Sequence, residues 1–140
     1  MKRKITVMVL LALVVLLFPI SSTQNLSGEG EVLNRQKEKV GTCQLEVEIT
    51  EVSSLVFTYK KAFTFVLDGR PVEEFATASY SEIEDICLLS QMYYDEEQNE
   101  MSLCSLIYKK DLSYAVLDLG ENYYFIRNGA DIAYSELPVS

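Results

Sequence analysis

"SEIEDICLLSQMYY", residues 81–94, decides the fold class of this chain. It carries the one convincing helix signal in the chain. Ser81 is followed three residues later by Glu84, the spacing of a capping box. Glu82, Glu84 and Asp85 fall in the first turn, where the helix dipole favours negative charge. Ile83, Ile86, Cys87, Leu89 and Met92 recur at helical spacing, with Ser90 or Tyr93 at the margin. The spacing predicts a helix over about 81–94, ended by the acidic loop "DEEQNE" at 95–100.

On either side of this segment the patterns are those of strands. In "GTCQLEVEIT", residues 41–50, Cys43, Leu45, Val47 and Ile49 alternate with Gln44, Glu46, Glu48 and Thr50, which gives one apolar and one wet face. "LVFTYKKAFTFVL", residues 55–67, is rich in β-branched and aromatic residues. Phe57, Tyr59, Phe63, Phe65 and Leu67 share one parity that Lys61 interrupts, so a bulge, an edge or a turn is expected at Lys60–Lys61. Asp68-Gly69 marks a tight turn, and Val72 to Ala78 a short returning strand. Further strands are expected at 101–108, 112–119 and 123–127. Asn128-Gly129 is a strong type I′ turn signal leading to a last strand, "ADIAYSEL", at 130–137. The expected fold is α+β: an antiparallel meander of about five to seven strands with one helix, about 81–94, packed on one face.

The N-terminus sets the compartment. Lys2, Arg3 and Lys4 precede an apolar run from Ile5 to Phe18, then Pro19 and the small residues Ser21, Ser22 and Thr23. This order is that of a secretory signal, residues 1–23, with cleavage expected near Thr23. The apolar run is short for a membrane span, which needs roughly 20 residues. The alternative is an uncleaved tether at residues 5–20. Both readings put the domain outside the cytoplasm, secreted or membrane-held. Residues 24–41, polar and with three glycines, read as a flexible lead, and 42–140 as a single domain.

Composition excludes several functions. The chain carries a formal charge of −9, and losing Lys2, Arg3 and Lys4 with the signal takes the remainder to −12. Such a surface repels nucleic acid. The chain has no histidine, which removes Ser-His-Asp and Cys-His nucleophiles, His-containing zinc sites and the commonest general base. No pattern points to a cofactor. The loop Asp95, Glu96, Glu97, Gln98, Asn99, Glu100 offers oxygen donors for calcium but lacks the ligand spacing and central glycine of an EF-hand, so no metal site is expected.

Three cysteines, Cys43, Cys87 and Cys104, remain. In an exported protein two of three normally pair. A helix at 81–94 and a strand returning from Met101 put Cys87 and Cys104 at matching depth, about 10 Å from the turn on each. Cys87–Cys104 is the expected bridge and Cys43 a buried free thiol, with Cys43–Cys87 and Cys43–Cys104 as the alternatives. Tyr123, Tyr124 and Tyr134 are the candidate binding surface, because strand neighbours point to opposite faces and an exposed tyrosine suits a protein, peptide or carbohydrate partner.

The sequence reading is therefore a small exported, non-enzymatic binding domain with a partner still to be identified. The alternatives are a carboxylate-using cell-envelope hydrolase and a calcium-responsive module on loop 95–100.

Overall fold

A computed structural model describes residues 2–72, 79–95 and 98–139. Helix α1 spans Lys2–Leu17. The strands are β1 (Ile20–Leu33), β2 (Lys39–Ser53), β3 (Thr58–Leu67), β4 (Arg70–Val72), β5 (Ser79–Ile83), β6 (Ile86–Asp95), β7 (Glu100–Lys109), β8 (Tyr114–Asp118) and β9 (Tyr123–Arg127). The described residues are mainly antiparallel sheet with one helix, the α+β class expected, and their nine strands exceed the expected five to seven.

The sheet order is β4-β3-β2-β1-β9-β8-β7-β6-β5. Two meanders, β1–β4 and β5–β9, are joined where β1 meets β9 over Glu31–Leu33 and Tyr123–Phe125. The sheet then rolls until β3 faces β6. Phe65 of β3 meets Tyr93 of β6 edge-on, with ring centroids 6.1 Å apart. The rolled interior holds Cys43, Leu45, Val47 and Ile49 of β2, as their alternation predicts. Phe63, Phe65, Leu89, Leu106, Tyr108 and Leu117 complete it.

One polar side chain is buried within this interior. Gln91 of β6 is 4% exposed. Its Nε2 donates to the Phe63 carbonyl at 2.7 Å, and its Oε1 accepts from the Phe63 N–H at 3.4 Å. Among the described residues β4 pairs with β3 at Phe65–Leu67, short of the outward backbone groups of Phe63. Gln91 takes the place of a ladder partner for them. Buried backbone groups need such a partner, and an orphaned one costs roughly 1–3 kcal/mol.

The helix expected at 81–94 does not form; residues 79–95 are the β5–β6 hairpin. Ile83 pairs with Ile86 around Glu84-Asp85, and Glu84 has φ 57°, a turn conformation. Cys87, Leu89, Gln91 and Tyr93 are buried, while Leu88 among them and Tyr94 after them are exposed. The segment is apolar on both parities, and such a run matches a helical stripe as well as a strand. Tertiary pairing decides: β6 pairs with β7 along its full length, from Ile86↔Lys109 to Asp95↔Glu100. The helix that does form is α1, and none of its residues is buried. It is not long and apolar enough to cross a membrane by itself.

Three other expectations are corrected. The polar lead at 24–41 is largely strand: β1 pairs with β2 from Ile20↔Ser53 to Leu33↔Lys39. Cleavage after Thr23 would cut this strand between the pairs Thr23↔Thr50 and Gln24↔Ile49. The last strand, 130–137, is absent, because β8 and β1 already occupy both edges of β9. Instead, the C-terminal segment crosses the outer face. Leu137 is buried with Leu33, Tyr114, Val116, Tyr123 and Phe125, and Ile132, Tyr134 and Val139 pack against them. The third correction is the bulge, which falls just before Lys60, where the register shifts between Val52↔Lys60 and Ser53↔Thr58. The turn at Asp68-Gly69 is as expected, with φ 51° and 81°. The returning strand is Arg70–Val72, and the rest of 72–78 lies outside the described residues.

Gln91→Ala should lower the unfolding free energy by about 2–4 kcal/mol, because it opens a cavity and orphans both Phe63 groups. Urea unfolding checks this. A loss below about 0.5 kcal/mol, the size of an ordinary surface change, would mean that β3 needs no partner there.

Candidate functional site

β5, β6 and β7 carry two different faces, and both are candidate sites. Strand alternation turns Tyr80, Glu82, Cys87 and Tyr108 one way and Ser81, Ile83, Leu88, Ser105 and Ile107 the other.

The first face ends in a polar cluster. The Tyr80 hydroxyl donates to Glu82 Oε2 at 2.6 Å and lies 3.7 Å from Cys87 Sγ. Glu82 Oε1 accepts from Lys110 Nζ at 2.9 Å. Cys87 is opposite Tyr108 in the register. Lys61, which interrupts the apolar parity of β3, puts its ammonium 4.2 Å from the Tyr80 ring centroid and 5.7 Å from that of Tyr108. Cation–π attraction holds it there. Burial first, then the Glu82 carboxylate, pushes the Tyr80 phenol well above its ordinary range. Burial and the Cys87 sulfur do the same to Tyr108. Both phenols are therefore neutral at physiological pH. The cluster ties β5 to β6 and β7.

The ion pair in this cluster has a pH signature. The Tyr80 hydroxyl, and then Lys110, hold the Glu82 carboxyl below the ordinary glutamate range. A lowered folded value adds stability above the unfolded glutamate value, and that gain is lost as pH falls through the folded one. Lys110 is raised by Glu82, so its gain is present below the unfolded lysine value and is lost as pH rises through the folded one. Glu82→Gln should lower the melting temperature slightly at neutral pH and leave it unchanged in strong acid. Melts across pH check this; a deficit that persists unchanged in acid would assign the loss to packing.

The second face is apolar and open. Ile83, Ile86, Leu88 and Ile107 line a groove of about 580 Å³ walled by Pro138 and Val139 of the C-terminal segment. Beyond it the same face continues over Leu103 and Met101. Ile83 is 76% exposed and Leu103 61% exposed. The Ser90 and Ser105 hydroxyls meet at 3.0 Å in its middle. The C-terminal segment covers the outer face over β8 and β9, and among the described residues the continuing apolar face over β5–β7 is left exposed.

The residues singled out from sequence lie elsewhere. Tyr123 is fully buried on the outer face, with the Arg35 guanidinium 4.2 Å from its ring centroid. Tyr124 packs half-buried against the rolled interior, and Tyr134 half-buried against the outer cluster. Tyr123 and Tyr134 thus share the outer cluster, and Tyr124 lies on the opposite side of the sheet. Of the acidic loop, Glu96 and Glu97 lie outside the described residues; Asp95 pairs with Glu100 at the base of the hairpin. Among the described residues, no three histidine, cysteine or acidic side chains form a metal-holding group.

The expected Cys87–Cys104 bridge is absent: all three cysteines are free and buried. Cys87 is opposite Tyr108 and Cys104 opposite Gln91. That offset, four residues, is about 13 Å along the strand, whereas a disulfide needs Cα atoms within about 7 Å. The matched depth expected for a helix and a returning strand disappears once residues 86–95 are themselves a strand. Burial pushes the Cys104 thiol up to about 12. Burial, then Asp68, raises Cys43.

No protein-family model, curated protein or solved structure matches the chain.

Thiolate is the reactive form of cysteine. Cys43 and Cys104 should therefore resist a thiol reagent in the folded protein at mildly alkaline pH. All three cysteines should react after denaturation without reductant. Labelling followed by intact mass reads both. Fewer than three labels after denaturation would restore a disulfide, and fast labelling of Cys104 in the folded state would show that the roll opens.

Proposed function

We propose that this protein is a small exported, non-enzymatic binding domain that captures an apolar segment of a partner protein or peptide. The observation that carries this reading is the bare outer face of β5–β7, where Ile83, Leu88 and Leu103 stand in water beside the groove. Monomeric soluble domains rarely leave a contiguous apolar face uncovered, and such faces commonly mark interaction sites. Two serines lie at its centre, and its acidic groups are few, Glu84 and Asp118 among the groove lining. That suits the dry core of a protein interface better than a carbohydrate, which needs convergent polar donors. Export is proposed from the basic head and apolar run of residues 1–23.

The test compares capture by the wild-type protein with capture by Leu88→Ser/Leu103→Ser in native envelope or medium. Both side chains are exposed, so the variant should fold with its stability changed by less than about 1 kcal/mol. A partner held by the wild type and lost by the variant supports the reading. Equal capture by both would move the binding surface away from this face.

A further inference from the structure

Helix α1 is apolar on every side. Ile5, Val7, Met8, Val9, Leu10 and Leu11 are each more than half exposed. A helix that docks on one protein surface needs only one apolar stripe; one that is apolar all round is matched by a medium that surrounds it. Hydrocarbon is such a medium, whereas a second protein or a second copy would cover one side. Lys2, Arg3 and Lys4 stand at the helix start, the arrangement favoured on a cytoplasmic face. Yet the 16 residues of α1 span about 24 Å, short of a hydrocarbon core of about 30 Å.

The far end of α1 is joined to the sheet. The Tyr59 hydroxyl donates to the Leu17 carbonyl at 2.7 Å, satisfying one of the carbonyls a helix end leaves unpaired. Val14, Val15, Phe18, Ile20 and Leu55 line an apolar hollow at this junction. Beside it the β2–β3 turn presents Leu55, Val56 and Phe57, 68%, 54% and 59% exposed. The turn is ordered by its own hydrogen bonds. Ser54 N–H donates to the Phe57 carbonyl at 2.7 Å, and the Val56 and Phe57 N–H groups donate to Ser54 Oγ at 3.2 and 3.0 Å. Turn tips are ordinarily polar; this one displays three large apolar side chains in succession.

We propose that α1 is retained and that its end forms, together with the β2–β3 turn, one lipid-facing foot on a bilayer. α1 lies in hydrocarbon, and Leu55, Val56 and Phe57 enter the near side of the membrane. The foot supplies the missing length. Residues 18–20 extend the apolar contour beyond Leu17 by about 3.3 Å each, and the turn lies beside them. The strongly acidic sheet repels anionic headgroups, so apolar insertion seats the foot and the charged strands stay in water. Retention also preserves β1, since the expected cut would remove Ile20–Thr23 from their pairing with Thr50–Ser53.

The test uses the full chain in phosphatidylcholine vesicles. The protein has no tryptophan, so Phe57→Trp is a lone reporter. Its emission should be quenched by brominated acyl chains and shielded from aqueous iodide, and the membrane-bound product should have the mass of the uncleaved chain. Leu55→Ser/Val56→Ser should keep its thermal melt and lower recovery in alkaline-washed membranes at least about threefold, a small part of the roughly hundredfold or more expected for losing two fully buried apolar side chains. A soluble product beginning near Gln24, iodide quenching unchanged by vesicles, or unchanged recovery of the double-serine variant would each overturn the foot. None of these outcomes bears on partner capture by the β5–β7 face, which lies on other residues.

Discussion

The pairing of the Gln91 side-chain amide with the Phe63 backbone is the constraint on which the rest of the structure depends. A nine-stranded antiparallel sheet could lie open, with one face wet. Here the sheet rolls until β3 meets β6, and the roll brings the outward backbone groups of Phe63 into an apolar interior. Those groups cannot be left there unpaired. A residue with both a donor and an acceptor at the end of a short side chain meets the need, and Gln91 reaches both groups. With that contact made, Phe65 can stack edge-on against Tyr93, and the apolar faces of the two meanders share one core.

Rolling the sheet settles what its convex side must do. That side carries a second set of apolar residues on β1, β8 and β9, and the C-terminal segment covers them. The segment can do so because it is free of the sheet, β9 having no open edge. Its Pro138 and Val139 lie beside Ile86 and Ile107, and among the described residues the apolar face beyond them is uncovered. The proposed binding face is the uncovered remainder of a surface whose other half the chain covers itself. The polar cluster beneath it, Tyr80-Glu82-Lys110 with Cys87 and Tyr108, holds β5 in place and so fixes one wall of the groove.

Much of the sheet was legible because its strands are apolar on one parity only. Cys43, Leu45, Val47 and Ile49 alternate cleanly, and they lie inside as read. Asp68-Gly69 specifies its turn locally, through two residues that accept positive φ. The segment 81–94 was not legible, because Ile86 and Leu88 on one parity and Cys87 and Leu89 on the other fit a helix and a two-faced strand alike. A strand apolar on both sides implies something on both sides, and that property belongs to the fold and not to the segment. The same ambiguity hid the candidate face: Ile83 reads as part of a helical apolar stripe, Leu88 and Leu103 carry no signal of their own, and only the register shows the three pointing outward. Lys61 had a local signal, a charge on an apolar parity, but its partners Tyr80 and Tyr108 lie far along the chain. The cysteine pairing failed with the helix that supported it.

The central claim is that Gln91 closes the roll by serving as a strand partner to Phe63. Hydrogen exchange at the Phe63 amide tests it most directly. With Gln91 in place, that amide should be protected to the same degree as the amides paired within the β2–β3 ladder, because it opens only when the whole roll opens. Exchange as fast as that of an exposed edge amide would mean that β3 and β6 are not joined, and that the interior described here is not closed.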